Sequence, residues 1–148
     1  MKRAEGPMSE RFSALDFHDD ILVRIAIHPP KGRKSRAGID LEFRDDATGK
    51  KKMVRFLGCG NILYAMDFDV LSSNWFAQTD RLSATNDAEQ MGRFVERQAR
   101  HWHTKYMPPQ EIDAPIRGKL RSIHAYRLFR ITFFGGTLEI LARRWTQE

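Results

Sequence analysis

Apolar and polar side chains alternate with a period of two through much of the first third of the chain. Ile21, Val23, Ile25 and Ile27 alternate with Asp20, Leu22, Arg24 and Ala26, which predicts a strand with one buried face. Pro29 and Pro30 end it, because neither can donate to a sheet ladder. After the basic loop 31–38, Ile39, Leu41 and Phe43 alternate with Asp40, Glu42 and Arg44. Turn residues follow at 45–49, and then Val54 and Phe56 alternate with Met53, Arg55 and Leu57. Residues 17–57 therefore predict a three-stranded antiparallel meander with a hairpin signal at each joint. Residues 1–14 hold no period and read as a flexible leader, leaving 15–148 as a single domain.

Gly58-Cys59-Gly60 punctuates the chain. Beyond it, Met66, Phe68 and Val70 alternate with Asp67 and Asp69, a pattern that favours a short buried strand within 61–71. The period then changes. At about 100° per residue, Ala88, Met91, Phe94, Val95, Gln98, Trp102 and Tyr106 share one face, and Arg93, Arg97 and Arg100 share the opposite one. That predicts a long amphipathic helix over 87–106, with Asn86 as N-cap, Glu89 at the capping-box position and Pro108-Pro109 as its stop. Residues 108–118 read as a connector. The chain ends in a predicted hairpin: Ile123, Ala125, Phe129, Ile131 and Phe133 alternate on one strand, with Arg127 interrupting. Leu138, Ile140 and Ala142 alternate on the other, and Gly135-Gly136 supply the positive φ of the turn. The order β-β-β-(β)-α-β-β predicts an α+β domain: one twisted antiparallel sheet of five to six strands, meander plus C-terminal hairpin, with the long helix packed on it. A partly closed barrel is the variant of the same pattern.

Composition changes this picture little, charge more. The 148 residues are 41% hydrophobic and 30% charged, and the one cysteine, Cys59, excludes an internal disulfide framework and a multi-cysteine zinc site. No apolar stretch approaches the roughly 20 residues of a membrane span, and the first residues lack a signal-peptide core, so a cytoplasmic protein is expected. The net charge is +6, with 13 basic and 11 acidic side chains in residues 1–74 and 12 and 8 in residues 75–148. A positive surface raises encounter rates with acidic proteins and with nucleic acid.

The polar groups offer several candidate chemistries. Phe17-His18-Asp19-Asp20 places a histidine beside carboxylates, and on a strand His18 and Asp20 share a face that Asp19 does not. His18 with Asp20, joined by His28 or His124, is the candidate acid–base or hydrolase set. His101 and His103 sit about 200° apart on a helix and cannot hold one ion, Asp67 and Asp69 form only an isolated pair, and no metal site or cofactor motif is expected. Basic side chains gather in the loop (Lys31, Arg33, Lys34, Arg36), at a strand entry (Lys50, Lys51, Lys52) and along the helix (Arg93, Arg97, Arg100). Because consecutive strands run in opposite directions, the first two groups fall at opposite ends of the meander.

The opening stretch 15–23 (Leu-Asp-Phe-His-Asp-Asp-Ile-Leu-Val), Phe56-Leu57-Gly58 and the final strand 137–143 are together similar to small β-rich bacterial domains with a Phe-His-Asp opening strand, some of them immunity-type proteins of toxin systems. The resemblance covers 17–75 and the last hairpin, with the helix as an insertion. It implies a bacterial, non-enzymatic domain that binds a cognate protein, and it carries over no catalytic residue. The expected function is thus binding of an acidic protein partner through Arg93, Arg97 and Arg100 or through Lys31, Arg33, Lys34 and Arg36. A nucleic-acid-binding module using 31–36 and 50–52 is the alternative, and a histidine-dependent hydrolase or nuclease the third reading.

Overall fold

The computed structural model describes residues 11–32, 36–67, 77–106 and 116–148, without the side chains of 102–106. The chain is α+β, with eight antiparallel strands: β1 (Ile21–His28), β2 (Ala37–Arg44), β3 (Lys51–Cys59), β4 (Asn61–Met66), β5 (Thr79–Thr85), β6 (Arg127–Phe133), β7 (Gly136–Ala142) and β8 (Arg144–Gln147). Among the described residues one long helix, α1 (Ala88–Tyr106), stands between β5 and β6, followed by helical residues 116–121 and a 3-10 turn at Ile123–Ala125. No helix among the described residues is long and apolar enough to cross a membrane.

The strands form two four-stranded sheets, ordered β1-β2-β3-β8 and β4-β7-β6-β5, rather than the one twisted sheet expected. The cause is a corner shared by two long strands. β3 passes into β4 through Gly58–Gly60, and β7 passes into β8 through Arg143, so each long strand serves both sheets. The two remain paired across the bend, where Gly60 N–H donates to the Leu141 carbonyl at 2.7 Å and Arg143 N–H to the Leu57 carbonyl at 3.1 Å. At the opposite edge, β1 and β5 meet through the bridge Ile21–Gln78 and the reciprocal bonds Asp19 N to Thr79 O and Thr79 N to Asp20 O, each 2.8 Å.

The inner faces meet in one apolar core. Leu41, Phe43, Val54 and Phe56 of the first sheet oppose Phe129, Ile131, Leu138 and Ile140 of the second, as the alternation of β2, β3, β6 and β7 requires. Phe12, within the stretch read as a leader, is fully buried at its centre. Its ring packs edge-on against Phe129 at 5.0 Å, Trp145 at 5.5 Å and Phe56 at 5.8 Å, contacts of about 0.5–1.5 kcal/mol each beyond burial. β1 keeps part of its predicted face, with Ile21 buried and Ile25 packed against the core. A bulge between Leu22 and Arg24 shifts the register, so Leu22 enters the core and Val23 is left exposed; Ile27, paired with Ile39, is exposed at the hairpin end.

The helix is shorter in reach than expected, and its described side chains Met91, Phe94 and Val95 cover the outer face of the second sheet, packing on Ile123, Tyr126, Leu128 and Leu141. Its cap lies one residue later than predicted: the Asp87 carboxylate, not Asn86, accepts the Gln90 N–H at 3.1 Å, a contribution of about 1 kcal/mol. Residues 123–125 form the 3-10 turn rather than the start of the final hairpin. In that hairpin the demand on Gly136 is close approach, since a Cβ there would stand 2.0 Å from the Ala65 carbonyl oxygen.

Asp20 and Lys52 tie the entry of β1 to β3. Lys52 Nζ lies 2.7 Å from Asp20 Oδ2, donates to the Asp16 carbonyl at 3.1 Å and sits over the Phe17 ring. The Asp20 side chain is 6% exposed and that of Lys52 24%, so removing the cation strands a desolvated carboxylate. Lys52→Met is expected to cost about 2–3 kcal/mol, under the roughly 3–5 of a fully buried pair, whereas Lys50→Met is neutral. Urea unfolding of the two variants measures the difference.

Candidate functional site

The corner that folds the sheets also opens a cleft. β4 runs on past the end of the β1–β2 hairpin, and α1 lies across from that end, leaving a cavity of about 740 Å3. Ile27, Ala37 and Ile39 line it from the hairpin, Ile62 and Leu63 from β4, and Phe94 from the helix. This size lies within the roughly 300–1,000 Å3 typical of pockets for small ligands, and a mainly apolar lining with a few polar groups is their usual character.

A polar chain runs through one wall, where Gly60, Asn61, Ile62 and Gln98 line the cleft. Lys119 Nζ donates to the Gly60 carbonyl at 3.1 Å and to Asn61 Oδ1 at 2.5 Å. Asn61 Nδ2 donates to Gln98 Oε1, and Gln98 Nε2 donates to the Ile62 carbonyl at 2.8 Å. These side chains supply hydrogen-bond donors to the Gly60 carbonyl of the β3–β4 corner and the Ile62 carbonyl of β4. Burial holds the Lys119 amine below its ordinary pKa.

The charged side chain at the cleft is a cation. Arg97 lines it from an exposed helix position beside His101, and no Asp or Glu is among its described lining residues. Arg97 makes no hydrogen bond or ion pair with any described residue, in contrast to its neighbour Arg93, which bonds Glu89 at 2.8 Å. Beside the cleft, Arg36 donates to the Tyr126 hydroxyl at 3.1 Å, and the Arg143 guanidinium lies 5.3 Å from the centre of the same ring.

The structure distributes the candidate residues differently from their expected pairings. His18 and Asp20 do not work together, because Asp20 is committed to Lys52. Asp19 adopts φ 69° in a turn instead of extended backbone, and this lets His18 Nδ1 approach Asp19 Oδ1 at 3.1 Å; its Nε2 is 3.9 Å from Asp80. His28 instead meets Asp40 on the outer face of the first sheet, Nε2 to Oδ2 at 2.9 Å. His124 is exposed in the 3-10 turn, so the three histidines occupy separate neighbourhoods. Among the described residues, no three His, Cys, Asp or Glu side chains gather as a metal site.

Of the basic groups, Lys31 and Arg36 are exposed at the hairpin end, as are Arg93, Arg97 and Arg100 on the helix, while Arg33 and Lys34 lie outside the described residues. Asp69 and the side chain of His103 lie outside them too. Pairing of Arg44 with Lys51 and of Ala37 with Cys59 keeps Lys50–Lys52 at the far end of β2 from the loop. The cleft residues Asn61 and Gln98, and Lys119 that bonds Asn61, escaped the sequence reading. Only Gln98 left a trace, as the one amide within the helix's apolar stripe.

Two groups here generate solution predictions. Arg55 donates to both Asp40 oxygens, at 2.7 and 3.1 Å; this bonding, aided by His28 and opposed by burial, holds the Asp40 carboxyl below its ordinary value of 3.8. A depressed folded-state pKa adds stability above the unfolded value, and that stability is lost as pH falls through the folded one. The destabilisation caused by Asp40→Asn, measured by urea unfolding, is therefore expected to be full at neutral pH and to shrink below 3.8. Burial pushes the Cys59 thiol up to about 12, so the native chain at pH 8 is expected to resist iodoacetamide and to react once unfolded, as mass spectrometry would record.

No family model, curated protein or solved structure was found to match this chain.

Proposed function

We propose that this chain is a non-enzymatic, cytoplasmic bacterial domain that binds an acidic protein partner through the basic surface around the cleft. The observation that carries this reading is the convergence of two of the three basic groups. Hairpin residues Ile27 and Ala37, which bracket the loop with Lys31 and Arg36, line the same cleft as Arg97 and His101 of the helix. A partner seated there meets cations from two elements, with apolar side chains between them, the usual composition of an interface centre and rim. The similarity of the opening and closing strands to immunity-type proteins favours the same class of function. A reading centred on nucleic acid has less behind it: Lys52 is spent on Asp20, and Lys50 and Lys51 lie at the other end of β2. The hydrolase reading loses its His18–Asp20 pair in the same way.

The test compares two charge-reversed forms of the whole chain. Arg93, Arg97 and Arg100 changed to Glu should abolish retention of a specific partner from bacterial extract, while Lys50 and Lys51 changed to Glu should leave it intact. For the purified pair, the association rate is expected to rise several-fold between about 150 and 50 mM salt, because screening weakens. Equal retention by both forms, or retention that nuclease treatment removes, would overturn the reading.

A further inference from the structure

The interior of the cleft points to a ligand of its own, independent of any protein partner. We propose that it is a preformed site for a medium-chain aliphatic carboxylate, the alkyl chain lying between the hairpin end and α1 and the carboxylate meeting Arg97. The walls set the chemistry of the chain. Five of the apolar lining side chains are aliphatic (Ile27, Ala37, Ile39, Ile62 and Leu63), with Phe94 the one phenyl ring among the described lining residues. Ile27 and Leu63 are 59% and 40% exposed, so apolar surface stands in water at this site in the empty protein and is covered when an alkyl chain enters.

The polar wall excludes a ligand that is polar along its length. Asn61, Gln98 and Lys119 are already engaged with one another and with the Gly60 and Ile62 carbonyls, and a polar ligand would have to break that chain to be satisfied. Arg97 sets the sign of the headgroup. It is a permanent cation without a partner among the described residues, beside an apolar cavity with no described carboxylate in its lining. One guanidinium matches one carboxylate in both charge and bidentate geometry.

Isothermal titration of the whole chain with sodium decanoate below its micelle concentration, and with decyltrimethylammonium of equal chain length, tests the assignment. Decanoate is expected to bind one per chain, about tenfold or more tighter than the cation. Arg97→Gln should weaken decanoate by about tenfold. Leu63→Trp should fill the cleft and abolish binding. Both side chains are exposed, so the fold is retained, and thermal unfolding verifies this. Equal affinity for the two amphiphiles, several ligands per chain, or a decanoate affinity that either variant leaves unchanged overturns the proposal. The titration needs no partner, so one decanoate bound by a chain that retains no protein from extract separates this site from the protein-binding reading.

Discussion

Two long strands that must bend together are the constraint on which the rest of this molecule depends. Gly58 has φ 66°, and a Cβ there would stand 2.9–3.0 Å from the side-chain carbons of Arg143. The β3–β4 strand turns at this point, and its neighbour β7–β8 turns at Arg143 itself, so the ladder between them survives the corner. Bending one strand alone would strip backbone groups of their partners; bending both keeps them satisfied. The fold brings Phe56 of β3 to 5.0 Å from Phe129 of β6, with Phe12 against both. The same bend carries β4 away from β2 and leaves the space that becomes the cleft.

The strands with strict alternation were legible, because β2, β3, β6 and β7 each bury one face and a period of two reports that directly. What alternation does not report is what the buried face touches. A sheet covered by a helix and a sheet folded onto its neighbour leave the same pattern of apolar positions. The decisive quantity is supply. Among its described side chains the helix offers Met91, Phe94 and Val95, with Ala88 at the margin, whereas Leu41, Phe43, Val54, Phe56, Phe129, Ile131, Leu138 and Ile140 all need cover. Only a second sheet provides that area. β1 differs only locally: its bulge adds one residue at Val23, so Leu22 turns inward before it, while Ile25 beyond it stays on the face that alternation assigns to the core. β5 carries Asp80, Arg81 and Ser83 among few apolar residues and offered little periodicity to read.

The candidate site was much less legible, for a different reason. The residues with conspicuous chemistry are used to hold the structure together. Asp20 and Lys52 are separated by 32 positions, and no local spacing announces their pairing. Asp40 lies on the polar register of β2 yet is only 5% exposed, because Arg55 and His28 close over it. The cleft, conversely, is built from isoleucine, leucine, phenylalanine and amides contributed by the hairpin, the corner strand and the helix, and nothing in a linear sequence marks these as convergent.

This division of labour decides how a formal charge of +6 acts. A net charge is a poor guide to function while its cations are counted alike. Lys52, Arg55 and Arg130 neutralise carboxylates that burial would otherwise penalise, and Arg93 spends part of its field on Glu89. Arg97 faces no such acid among the described residues. A guanidinium in open water is screened within a few solvent layers, but beside apolar walls the effective dielectric falls and its preference for an anion grows. The same side chain would be an unremarkable surface cation elsewhere on the helix. At the mouth of the cleft it gives the apolar cavity a sign, and that sign separates the anionic ligands the cavity favours from neutral or cationic ones of equal size.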